Sequence, residues 1–95
     1  FAMEFLSTNG ARNTFMNKYT TKFIALCPIN NKQIVYQLEI KHSEQIMVEK
    51  IIEEVGKYTS AFHERIADEL FVLFGGEQTL TANHHGVVIQ TERKL

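Results

Sequence analysis

The sequence predicts an α+β fold: an antiparallel four-stranded sheet with two helices packed on one face. Three observations lead there. Residues 33–41 alternate apolar and polar with a period of two, as a half-covered strand does. Apolar residues then recur at intervals of three and four from Met47 to Phe74, the stripe of an amphipathic helix. Two further strand-like stretches flank His84-His85-Gly86, whose glycine suits a hairpin turn.

Taken in order, the elements are β-β-α-α-β-β. Residues 22–26 form a first strand, and Asn30-Asn31 after Pro28 suits a turn with positive backbone angles. Residues 33–41 return antiparallel, with Ile34, Tyr36, Leu38 and Ile40 on one face. Ser43 is expected to cap the first helix, with Glu44 in its first turn near the positive end of the dipole. The apolar positions 47, 51, 55, 58, 62, 66, 70, 73 and 74 are enough for two helices. Gly56 and Thr59-Ser60 are the natural breaks, and Thr59 or Ser60 is the expected cap of the second helix. Gly75-Gly76 ends it. Residues 79–83 and 87–91 make the last hairpin. The helix stripe must bury itself on the apolar face of the sheet, which gives two layers.

Residues 1–20 read as an N-terminal arm or lead-in, rich in Asn, Thr and Ser, and residues 21–95 as the domain. Phe1-Ala2 precede Met3, where the natural chain is expected to begin. Ninety-five residues make one small domain with a thin margin of stability. No basic segment followed by an apolar stretch opens the chain, so no secretory signal is expected. A single cysteine excludes an internal disulfide and a four-thiolate zinc site, and fits a reducing, cytoplasmic setting. A net charge of −1 argues against nucleic acid as partner, and no apolar run is long enough to span a membrane. Both outer strands of an open sheet invite pairing, so a homo-oligomer formed through sheet edges is expected.

Two segments carry candidate chemistry. Cys27 ends the first strand in Leu26-Cys27-Pro28, where a thiol is either a small core residue or an accessible nucleophile. Phe62-His63-Glu64 stands at the mouth of the second helix. Glu64 either caps and solvates that helix or accepts two parallel hydrogen bonds from a ring with an N–H and an amino group. His63 is a candidate acid or donor, or a structural histidine. His84 and His85 alternate to opposite faces, and the four histidines have no familiar metal-ligand spacing, so no metal is expected. Gly75-Gly76 precedes a strand, which argues against a phosphate-cradling loop.

The segment Lys22-Phe23-Ile24-Ala25-Leu26-Cys27-Pro28, followed by Phe62-His63-Glu64, resembles the nitrile reductase of queuosine biosynthesis. That enzyme belongs to the tunnelling-fold superfamily, with GTP cyclohydrolase, dihydroneopterin aldolase and pyruvoyl-tetrahydropterin synthase. The resemblance spans residues 22–91. It implies an oxidoreductase in which Cys27 attacks the nitrile carbon of a cyano-deazaguanine base and NADPH reduces the resulting thioimide. It also implies that Glu64, beside Phe62, holds the purine-like ring, that His63 assists, and that sites form between subunits of a barrel. The chain departs from that pattern in one respect above all. The family carries a general-acid Asp shortly after the cysteine, and here Ile34 stands in its place. Loss of a proton donor of this kind slows such chemistry by roughly 10²–10⁴. The segment that contacts the cofactor in the family is matched only by Val48-Glu49-Lys50, and the stretch from there to Phe62 is shortened. The expectation is a nitrile-reductase-like protein that binds a purine- or pterin-like heterocycle, with reductase activity in doubt. The alternative is a non-catalytic binding or oligomeric assembly module of the same fold.

Overall fold

The computed structural model describes residues 16–95. Strands β1 (Asn17–Leu26) and β2 (Gln33–His42) precede helices α1 (Val48–Val55) and α2 (His63–Phe74). Strands β3 (Glu77–His84) and β4 (Val87–Arg93) follow. All neighbouring strands pair antiparallel in the order β1-β2-β3-β4, so the expected β-β-α-α-β-β layout is the observed one.

The sheet has one dry face. Ile34, Tyr36, Leu38 and Ile40 of β2 are buried, as are Leu80 and Ala82 of β3 and Ala25 of β1. Against them pack Ile51 and Val55 of α1 and Ile66, Ala67 and Leu70 of α2. Each buried Ile, Leu or Val among them contributes about 1.5–3 kcal/mol by leaving water. The opposite face is wetter and carries the Lys18–Glu39 ion pair at 3.3 Å. Ile24 and Val35, paired across β1 and β2, are exposed apolar residues on it, each about half exposed, and Val88 of β4 is exposed there as well.

Three boundaries differ from expectation. First, β1 begins at Asn17 rather than Lys22, so residues 17–20 belong to the sheet and not to an arm. Polar side chains hid this: Tyr19 and Thr21 face the helices while Lys18 and Thr20 face water. The Tyr19 hydroxyl accepts the Ile46 N–H at 2.9 Å and ties the start of β1 to the segment before α1. The remainder of the expected arm, residues 1–15, lies outside the described residues.

Second, Ser43 does not cap α1. The helix starts five residues later, after an extended Met47 with no side-chain cap, and Glu49 rather than Glu44 occupies its first turn. Residues 42–44 instead make a local turn in which the Glu44 N–H donates to His42 Nδ1 at 2.9 Å. Third, neither Thr59 nor Ser60 caps α2, which follows an extended Phe62. Their backbone is used elsewhere, beside β1.

The end of α2 matches the reading of Gly75-Gly76. Both glycines have positive φ, and the Gly75 N–H donates to the Phe71 carbonyl at 2.8 Å. Gln78 completes this terminus from β3. Its buried Nε2 donates to the Leu70 carbonyl at 3.0 Å and the Gly75 carbonyl at 2.8 Å, tying the start of β3 to the end of α2. Gln78→Met keeps the side-chain length and removes both donors. It is expected to destabilise the domain by about 2 kcal/mol in urea unfolding. An unchanged midpoint would show that water serves these carbonyls equally well.

Candidate functional site

The chemistry-bearing residues gather at one end of the sheet, where both hairpins turn. The β1–β2 turn is closed by backbone bonds from Cys27 N–H to Lys32 O (2.9 Å) and from Asn31 N–H to Cys27 O (2.8 Å). Asn31 adopts the expected positive φ, 61°. The β3–β4 turn is made by His85 and Gly86, with φ of 57° and 99°. Asn30 Nδ2 and His85 Nε2, 3.1 Å apart, link the two turns.

A third segment joins them. The Leu26 N–H donates to the Thr59 carbonyl at 2.8 Å, and Leu26 pairs in parallel with Ser60. This short bridge lays the lead-in to α2 along the end of β1. Cys27 is the next residue on one side, and Phe62-His63-Glu64 begins two residues further on the other. The two motifs therefore meet at the same end of the fold.

Their side chains point in different directions. Cys27 is partly buried and packs against the core with Phe23. His63 is turned fully inward, 5% exposed. Phe62 is 56% exposed, Glu64 is exposed, and Glu64 has no hydrogen-bond or ion-pair partner among the described residues. The buried stripe of α2 is His63, Ile66, Ala67 and Leu70, rotated by one position from the expected start at Phe62.

Two residues complete the cluster that sequence reasoning did not assign to it, Tyr36 and His84. Tyr36 lies on the dry face of β2, stacked on Phe23 with ring centroids 5.3 Å apart. Its ring also lies 5.5 Å from that of His63 and 5.8 Å from that of His84. His84 follows Ala82 on the same face of β3, which the period of two does disclose. His63 Nε2 is 3.1 Å from the Leu80 carbonyl, and His63 Nδ1 is 3.0 Å from His84 Nε2.

Burial disfavours charge in this cluster. It is the main cause that lowers the pKa of His63, followed by the neighbouring His84. It also lowers that of His84, with His85 second. The Tyr36 hydroxyl is pushed up by burial and then by Cys27 nearby. Because both imidazoles titrate below their ordinary value, the unfolded chain binds more protons than the folded one just below about pH 6.5. Stability is whole above that point and is lost as pH falls through the window. The melting temperature is expected to drop between about pH 7.5 and about pH 5, before the carboxylates titrate. A flat profile in thermal scans over that range would contradict it.

Among the described residues no group of three His, Cys, Asp or Glu side chains is placed to hold a metal ion. An open groove of about 610 Å³ runs along α2, lined by Lys57, Tyr58, Arg65, Glu69 and Val72 among others. Cys27, Phe62, His63 and Glu64 do not line it. Among the described residues no helix is long and apolar enough to cross a membrane. No family model matches this chain, and neither a curated protein nor a solved structure matches it.

Proposed function

We propose that this chain is a heterocycle-binding protein of nitrile-reductase-like, tunnelling-type design. Glu64 receives the N–H edge of a purine- or pterin-like ring, Phe62 covers the ring, and Cys27 supplies a thiol near the same end. The observation that carries this reading is the bridge from Leu26 to Thr59 and Ser60, which draws the two motifs together. A carboxylate in the first turn of a helix, exposed and unpaired among the described residues, suits recognition of a donor edge.

Binding is the activity these residues support, and reduction is not. Where the family holds its general acid, Ile34 is buried in the core at 2% exposure. His63 has both ring nitrogens engaged inside the fold. A chain of this size encloses little on its own, so copies joined through β1 and β4 supply the missing wall.

Guanine and pterin are expected to raise the melting temperature, and Glu64→Gln to weaken their binding by about tenfold or more. Calorimetry measures the affinity, and intact mass after incubation with a cyano-deazaguanine base reads any adduct on Cys27. An absence of heat and of thermal shift with every purine and pterin would remove the reading. The open strand edges and the exposed Ile24–Val35 pair favour a second reading, an assembly module without a ligand. It predicts oligomers in ultracentrifugation with no heterocycle binding.

A further inference from the structure

The two imidazoles at 3.0 Å form an ordered pair whose proton positions follow from chemistry. A carbonyl oxygen can only accept, so His63 Nε2, 3.1 Å from Leu80 O, carries the hydrogen. In neutral His63 the other nitrogen, Nδ1, is then an acceptor. The donor facing it must be His84 Nε2–H. That leaves Nδ1 of neutral His84 as a lone pair. It has no partner among the described residues, and it is not among their buried unpaired atoms, so it opens to solvent.

An added proton enters at the open His84 Nδ1, where it disturbs no internal bond. The hydrogen shared at 3.0 Å could then lie on either ring, and the charge is favoured on His84, which is only partly buried, over His63, which is 5% exposed. Tyr36 from β2 lies against both rings, His85 adjoins His84 from the turn, and the charges of Glu64 and Arg93 act on His63. None of these supplies a second acceptor for the His63 ring.

We propose that His84 is the proton-accepting residue at this end of the molecule and that His63 positions it. Held by His63, His84 presents Nδ1 as an acceptor for a ring N–H of the ligand, and as a donor to a ring carbonyl once protonated. The ligand half of this inference rests on the heterocycle-binding reading; the orientation of His84 does not.

Long-range nitrogen–proton NMR of the imidazoles in the free protein tests the orientation. His63 is expected to stay neutral with its proton on Nε2 from about pH 7.5 to about pH 5.5, while His84 starts with its proton on Nε2 and gains a second on Nδ1. A proton on His63 Nδ1, or protonation of His63 ahead of His84, would overturn it. In His63→Phe, the Nε2–H preference of His84 is expected to fall by up to roughly tenfold. An unchanged preference in a folded variant would overturn the positioning role, and the wild-type spectra decide the matter if that variant does not fold. Guanine is the probe for the ligand half and is expected to shift the His84 Nδ1 resonance. Binding that depends on Glu64 yet leaves this resonance in place overturns the ligand role of His84 and spares the binding reading. Absence of binding overturns both, while the spectra of the free protein still report on the orientation.

Discussion

Gly76→Ala is expected to remove a large share of the stability of this domain. Gly76 has a φ of 72°, a conformation that strains any side chain bearing a Cβ. A Cβ there would also collide with the Lys41 carbonyl oxygen and lie 2.9 Å from His42 Cδ2. Relief by movement is not available. Lys41 is held in the β2–β3 ladder opposite Glu77, the residue after the glycine, so pushing its carbonyl away opens the sheet at the start of β3. Strain and collision together amount to about 3 kcal/mol or more. Gly75 provides the control. Its φ is 66°, but a Cβ there would meet nothing closer than His42 Nε2 at 3.7 Å. Gly75→Ala should therefore show only the backbone strain of its φ 66°, ψ −151° conformation, about 1–3 kcal/mol. Equal losses for the two variants in denaturant unfolding would refute the close approach.

Leu70→Ala is the second substitution expected to have a large effect. Leu70 has no exposed surface and faces the sheet from α2, in one core with Ile66, Leu38 and Leu80. Removing its branched end forfeits the transfer energy and leaves a cavity, together about 3–5 kcal/mol. A domain of this size has about 5–10 kcal/mol in all, so the variant should be partly unfolded at physiological temperature. Val72, two residues on, is 85% exposed, and Val72→Ala should stay within about 0.5 kcal/mol. A small effect at Leu70, measured by urea titration, would mean that α2 is not what covers the sheet.

The sequence disclosed most where side-chain chemistry and periodicity agree. β2 was legible because Ile34, Tyr36, Leu38 and Ile40 fall on alternate positions, with polar neighbours at every intervening position but Val35. The first half of β1 was not, because Asn17, Tyr19 and Thr21 take the inner positions without an apolar signature. Helix starts were misplaced for a related reason. Ser43, Thr59 and Ser60 are good capping residues, but the chain needs 43–47 to turn onto the sheet, and it uses 59–60 to bind β1. Tertiary demand outweighed local preference there. At the candidate site, the placing of Phe62-His63-Glu64 at a helix mouth was legible from the apolar stripe. The inward turn of His63 was not. It depends on a polar partner, His84, twenty-one positions away, and on the Leu80 carbonyl, neither of which a local pattern discloses.

The bridge at Leu26 also fixes what a second strand can do at the outer border of β1. Since the Leu26 N–H points away from β2 toward Thr59, the main-chain groups of Lys18, Thr20, Lys22 and Ile24 point the same way. Thr59 and Ser60 already fill the last berth. An incoming strand finds a track about as long as β4, which has 7 residues, and a doorstop at its far end. Sliding by one step in that direction would drive it into the α1–α2 connection, so one backbone hydrogen bond limits how far any docked strand can run toward that end.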